Sequence, residues 1–393
     1  MEYNKSNLYM FIIWEKSRHK SESVLEDIKK RFIIRDMIEI EWSSKKFANN
    51  MQRFYGYNLP NVIKKTKMCG KGPFLLIIVS DPATKLGERR TSYGMELVNT
   101  NIYDNKMEYR KWIGGEFPIH GANSIKESNH DLTLLLGKNV KDLENELPEE
   151  WDGSVKKLKT EVIGFNGWQN MNQFLYMLNG TVNYVILRNF EELPEEFSSD
   201  IHKDIDILTD NAMLMPYLTN GEKSPINDKI SPLVKIGGEI VLFDFRYPGD
   251  CYYDEKWSKN ILNNRELHKN GFYVPGKEDY FYTLLYHAVF HKKKITDDYK
   301  LKLENLAKDL EIKEITNKEL DNLPKLEVFL EKYMDKMGYR HTYSAQYKIR
   351  HNEFLRLVKV SSFLIKTQGV NAFFNEIKGK IKRTILHKTQ KTR

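Results

Sequence analysis

Two carboxylates separated by one apolar residue, Asp204-Ile205-Asp206, sit in the run KDIDIL, and a third, Asp244, stands between two phenylalanines in EIVLFDFRY. In an extended strand alternate residues share a face, so Asp204 and Asp206 project to one side and Ile205 and Ile207 to the other. Acids held that close repel one another unless a cation lies between them. Hard carboxylate oxygens suit Mg2+ or Mn2+, which keep water and phosphate oxygens as their remaining ligands. An unpaired acid within an apolar strand is costly to desolvate, so Asp244 is expected to complete the set. Three such acids can hold two cations, one activating an attacking hydroxyl and one neutralising a leaving phosphate. Asp244 is also placed to act as a general base. Asp204, Asp206 and Asp244 are therefore the candidate catalytic and metal-binding residues, with Mg2+ or Mn2+ as the expected cofactor.

Four further residues are candidates for binding substrate phosphate: Arg188 and Asn189 in YVILRNF, Arg246 two residues beyond Asp244, and Lys292. Arg246 falls on the same strand face as Asp244, where it would bind phosphate or, without metal, pair with Asp204 or Asp206. Asp250 and Tyr252-Tyr253 follow a Pro-Gly turn and either line a pocket or pack the loop. His287 and His291 have the i, i+4 spacing of two metal ligands on one helix face, yet the glutamate of an HExxH motif is missing. Tyr282, Leu285 and Phe290 around them favour packed histidines.

A second polar cluster lies upstream: Asn99, Asn101, Lys106 and Arg110, then GGEFPIHGANSIKESNHDL. Ser124 and Glu127 have the spacing of a capping box, which accounts for those two structurally. Arg110, His120, Asn123, Glu127 and His130, with Asp131 beside them, form a possible second site. It would bind nucleotide phosphate or an acceptor, or be a separate active site that makes the chain bifunctional.

These residues need a scaffold, and the patterning supplies one. The runs LYMFIIW (8–14), MIEIEW (37–42) and FLLIIVSDPA (74–83) read as strands, and 21–32 and SSKKFANNMQRFYG as helices, the latter ending at Gly56. The alternation predicts an N-terminal α/β domain, 1–150, with a three-layer arrangement and a partly parallel sheet. A charged helix and linker at 136–157 close it. A central domain, 160–297, opens with a helix at 167–180 and continues with strands at 182–190 and 203–210. A hairpin turning at Gly237-Gly238 and two helices complete it. A helical region, 298–345, leads to a basic tail, 346–393. The expected class is thus α/β and α+β multidomain, with a central mixed sheet flanked by helices and a helical basic C-terminus.

The order helix, strand, turn, DxD strand, then a strand with a single Asp resembles the polymerase-β-like nucleotidyltransferase superfamily over roughly 165–295. The resemblance implies transfer of a nucleotidyl or related phosphoryl group. That superfamily carries a Gly-Ser turn after the first strand, where this chain has Leu187-Arg188-Asn189-Phe190. Arg188 could replace part of that turn as a guanidinium fork on phosphate. The blocks YVILRNFEELP, FDFRYPGDCYYDEKW and YFYTLLYHAVFHKK are also similar to bacterial proteins associated with surface-polysaccharide assembly. The expected setting is therefore surface-glycan or lipid-linked precursor synthesis, with a nucleotide or nucleotide-sugar and a glycan or lipid-linked acceptor as the expected partners.

Charge and composition bound the setting. Hydrophobic content of 40% and aromatic content of 12% argue against disorder. No run approaches the ~20 apolar residues of a membrane span. Cys69 and Cys251 lie far apart without a CxxC partner, as expected of a reducing cytoplasm. From Arg340 onward 13 Lys/Arg face two Glu, a net of +11 in a chain whose total is +8. Val370, Phe373, Phe374, Ile377, Ile381 and Ile385 follow helical spacing with lysines on the other faces. Such a helix would hold the protein at the inner, anionic face of the cell membrane, or dock on the catalytic domain. With no aromatic stacking platform or known DNA-binding motif, nucleic acid is an unfavoured partner. The rivals to a nucleotidyl- or phosphotransferase are a DxD glycosyltransferase using a nucleotide-sugar, a non-catalytic scaffold of degenerate nucleotidyltransferase fold, and a toxin-like nucleotidyltransferase.

Overall fold

The computed structural model describes residues 7–59, 61–92, 94–115, 118–197, 204–223 and 232–342. The first apolar run is β1 (Leu8–Ile13), buried along its whole length. It leads through α1 (Ser21–Arg31), with an acid in its first turn and three bases in its last, as the helix dipole favours. Then come β2 (Ile33–Glu41), α2 (Phe47–Tyr55), α3 (Val62–Cys69), β3 (Phe74–Ser80) and a hairpin of β4 (Leu86–Thr91) and β5 (Gly94–Asn99). α4 (Thr100–Ile113), β6 (Ile119–Gly121), α5 (Ile125–Leu136), α6 (Val140–Glu146) and β7 (Lys156–Lys159) complete the first unit.

Its sheet has the order β6-β1-β3-β2-β7. β3 inserts between β1 and β2 and runs antiparallel to both, β6 is antiparallel to β1, and β7 alone is parallel to its neighbour, β2. The expected parallel character is thus confined to one edge pair. β1 and β2, the strands that α1 joins, share a direction without touching. Alternate residues of β1 feed apolar layers on the two sides: Leu8, Met10 and Ile12 one, Tyr9, Phe11 and Ile13 the other. The segment expected as a linker supplies β7, pairing Ile38–Glu41 with Lys156–Lys159.

The second unit comprises α7 (Met171–Thr181), β8 (Tyr184–Ile186), β9 (Ile205–Thr209), α8 (Met215–Leu218), β10 (Glu222–Lys223), β11 (Pro232–Ile236) and β12 (Glu239–Arg246). α9 (Glu255–Asn263), α10 (Lys277–Tyr286), a π-helical turn at His287–Lys292, α11 (Asp297–Asp309) and α12 (Leu323–Met337) follow. Its sheet runs β10-β11-β12-β9-β8, with β12 and β9 parallel and the other neighbours antiparallel. Gly237 and Gly238 both take positive φ, +60° and +92°, and turn β11 into β12 as expected. The chain is mixed α/β.

One apolar core runs through both units, from Leu8 and Phe74 to Phe174, Phe243 and Phe245. Two polar contacts fix the join. Arg53 of α2 donates to the carbonyls of Tyr217 at 3.0 Å and Leu218 at 2.8 Å. On the other side α5 lies against α7, where Asn129 donates to the carbonyl of Gly180 at 2.8 Å. A Cβ at Gly180 would stand 2.4 Å from the Thr133 hydroxyl, so only glycine allows this approach. No described helix is long and apolar enough to cross a membrane. The basic tail, 346–393, lies outside the described residues.

Candidate functional site

The parallel pairing of β9 and β12 sets Asp206 directly opposite Asp244, with Ile205 beside Phe243 and Ile207 beside Phe245. The apolar neighbours face the core while both acids come to the same side. Asp206 and Asp244 are each 4% exposed, and Asp204, at the start of the strand, is exposed. Carboxylate oxygens of all three lie within 4.8 Å of one another. Burial, together with the charges of Asp204 and Asp244, pushes the Asp206 carboxyl up to about 6. The Arg188 guanidinium opposes that rise, at 2.7 Å, without cancelling it. Three oxygen donors at this spacing, one of them reluctant to ionise without added positive charge, suit a hard divalent cation.

Each buried acid already has a cationic neighbour. Arg188 reaches Asp206 Oδ2 from the turn after β8, and Arg246 reaches Asp244 Oδ2 at 2.5 Å from the same strand face. Arg246 also approaches Asp250 at 3.7 Å. The expectation for Arg246 was phosphate or, without metal, Asp204 or Asp206; the ion pairs seen among the described residues are to Asp244 and Asp250, since a neighbour two residues along one strand is nearer than one across the ladder. Both arginines hold their protons: the carboxylates beside them outweigh burial.

Tyr252 binds the two arginines together. Its ring lies 4.1 Å from the Arg246 guanidinium carbon and 5.8 Å from that of Arg188. Arg188 Nη2 donates to its hydroxyl at 3.0 Å, and the hydroxyl meets His287 Nδ1 at 2.7 Å. Burial and the adjacent arginines push His287 well below the usual histidine range, and His291 down to about 3. Both rings are therefore neutral. His287 shares its hydrogen bond with the phenol, and both histidines are buried among aromatic rings, packed as the aromatic context predicted.

Asn189 adopts φ +55°, the left-handed conformation that asparagine tolerates better than most residues. The turn after β8 thus keeps a glycine-like bend without glycine, and its Leu187 N–H donates to the carbonyl of Asp206 at 2.9 Å. Lys292 is exposed at the end of the π-helical turn. The lysine that reaches this turn is instead Lys302 of α11, 3.3 Å from Asn189 Oδ1 and 2.9 Å from Glu191. Sequence pattern offered no sign of Lys302, which arrives from a helix of ordinary charged appearance. Tyr252 was visible only as one half of an aromatic pair.

The upstream cluster also assembles. β6 carries His120, and α5, begun by the expected capping box (Glu127 N–H on Ser124 Oγ, 3.1 Å), carries Asp131 one turn further on. Asp131 Oδ2 takes His120 Nε2 at 2.7 Å and its Oδ1 takes His130 Nδ1 at 3.0 Å. Burial works to raise Asp131, and the two imidazoles overcome it, holding the carboxyl below its ordinary value. Lys106 Nζ donates to the Gly121 carbonyl at 2.9 Å and to the Asn123 side chain, and burial brings it down to about 8. Arg110 donates to the carbonyl of Ile119 at 3.1 Å. His120, Glu127 and Asp131 could also gather on a cation. Asn99 and Asn101 turn aside to Asp81, at 2.7 Å and 3.0 Å.

Tyr55 and Lys65 extend the cluster in a way the sequence did not announce. The Tyr55 ring meets the His120 ring at 5.6 Å, and its buried hydroxyl has no hydrogen-bond partner among the described residues. Lys65 lies 4.9 Å over that ring, and burial pushes its ammonium down to about 8. An imidazole anchored through one nitrogen by a buried carboxylate leaves the other for a proton or ligand, and the cations around it favour an anion.

No protein-family model and no curated protein matches the chain.

Proposed function

We propose that the chain is a metal-dependent nucleotidyl- or phosphotransferase whose centre is Asp204, Asp206 and Asp244. The observation that carries this reading is the register of β9 and β12, which sets two buried acids face to face with a third at the rim. Asp204, Asp206 and Asp244 would hold Mg2+ or Mn2+, which supplies charge for the phosphoryl group being transferred and lowers the pKa of an attacking hydroxyl. Arg188 and Arg246 present guanidinium groups beside the acids, the geometry that binds phosphate oxygens. Asp244, buried at 4% exposure, would take the proton of an acceptor hydroxyl. The acceptor class, a glycan or lipid-linked precursor at the inner membrane face, follows from the sequence resemblance and the basic tail.

A second reading concerns the first unit, where the anchored His120 with Lys106, Arg110 and Lys65 favours a separate site for an anionic ligand. One experiment addresses both. Melting temperatures of wild type, Asp206→Ala and His120→Ala are compared with nucleoside di- and triphosphates and nucleotide-sugars, with and without Mg2+, since a ligand of the native state raises the melting temperature by mass action. A Mg2+-dependent shift that Asp206→Ala abolishes and His120→Ala keeps supports the transferase reading. Absence of any shift in folded wild type sinks it. A ligand lost only in His120→Ala marks the second site. Release of pyrophosphate rather than nucleoside diphosphate separates nucleotidyl from glycosyl transfer.

A further inference from the structure

We propose that Arg188 and Arg246 are resident counter-ions that occupy Asp206 and Asp244 until a divalent cation and a phosphate-bearing substrate arrive together. The two guanidinium groups then pass from carboxylate to phosphate. The inference rests on the transferase reading and adds to it a coupling between metal and substrate.

Three observations converge. Each arginine spends Nη2 on the Oδ2 of one acid in the set that would hold the metal. A divalent cation bound to those oxygens would stand close to two guanidinium groups and be repelled by them. Cation binding by itself is therefore opposed, and the opposition disappears when an anion takes the arginines. Second, Arg188 Nη1 is buried and has no hydrogen-bond partner among the described residues, although Arg188 is only 7% exposed. A buried donor without an acceptor is costly, and a phosphate oxygen would satisfy it. Third, the aromatic platform is independent of the acids. Tyr252 holds Arg246 through its ring and Arg188 through its hydroxyl, with His287 beneath. The cations therefore keep an anchor when their carboxylates are taken.

The test uses the full chain with Arg188→Met and, as a second variant, Arg246→Met, in which a side chain of similar length fills the space without charge. Melting is followed in EDTA and in Mn2+, with no nucleotide. Wild type should respond weakly to Mn2+ alone. Each variant, in which a buried acid has lost its arginine, should melt roughly 5 °C or more below wild type in EDTA. Mn2+ should recover most of that loss and bind the variant about tenfold more tightly than wild type. Recovery of either variant supports the exchange. Variants that stay as unstable, or as unfolded, in saturating Mn2+ as in EDTA overturn it, because the pairs would then be structural only. A wild-type protein that still shows its Mg2+-dependent nucleotide shift would leave the transferase reading standing in that case.

Discussion

Asp206 offers a direct measure of how far the metal-free site is strained by its own charge. Its carboxyl sits at about 6 in the fold, against 3.8 for a free side chain. A folded value above the unfolded one means that the protonated form is favoured by folding. The stability this confers is complete below pH ~4 and is lost as pH rises through ~6. At about 1.4 kcal/mol per unit, the whole effect is about 3 kcal/mol. Roughly half of it is lost between pH 5 and pH 8. Asparagine at 206 accepts from Arg188 without titrating, so its cost is the same at both values. In EDTA, wild type should therefore lose ground against Asp206→Asn as pH rises, by about 2–4 °C in melting temperature. Mg2+ together with a nucleoside triphosphate should shrink the pH dependence by supplying charge to the ionised form. Calorimetry on the two proteins at pH 5 and pH 8 settles the matter. A difference that does not change with pH, or that grows in favour of wild type, would refute the claim that burial and neighbouring acids outweigh Arg188.

Substitutions at three other positions probe the frame. Asn189→Gly should leave melting nearly unchanged, whereas Asn189→Val, forced to φ +55°, should cost about 1–2 kcal/mol, read by chemical denaturation. Arg53→Met strips donors from the carbonyls of Tyr217 and Leu218, and urea unfolding should show a loss of about 2–3 kcal/mol. Gly180→Ala would bring a methyl within 2.4 Å of the Thr133 hydroxyl, and should cost about 1–3 kcal/mol, with faster amide exchange in α5 and α7.

Much of the frame was legible because it depends on local rules. Apolar runs such as FLLIIVS make a strand buried on both faces, and Gly237-Gly238 makes a turn wherever it occurs between two strands. What local pattern does not carry is the direction in which strands meet. The alternation of strands and helices predicted a partly parallel sheet, yet β3, recruited from about forty residues beyond β2, lies antiparallel between β1 and β2. The linker expected at the end of 136–157 runs instead into a strand, Lys156–Lys159, because β2 offers it an edge.

The site divides along the same line. That Asp204 and Asp206 share a face follows from the two-residue period of any strand, and so does the separation of Asp244 from Phe243 and Phe245. Which cation meets which acid does not follow, since it depends on one register, Asp206 opposite Asp244, and on the loop that folds Asp250 and Tyr252 back over Arg246. Sequence reading had Arg246 bind phosphate or, without metal, pair with the acids of the other strand; the bridges seen among the described residues are to Asp244 of its own strand and to Asp250. The distinction has a chemical consequence. Arginines bonded across the ladder would tie β9 to β12 and make the metal-free site a structural clasp. Under the proposed exchange, arginines that do not bridge β9 and β12, and that share a tyrosine as a second anchor, would trade a carboxylate for a phosphate without pulling those strands apart.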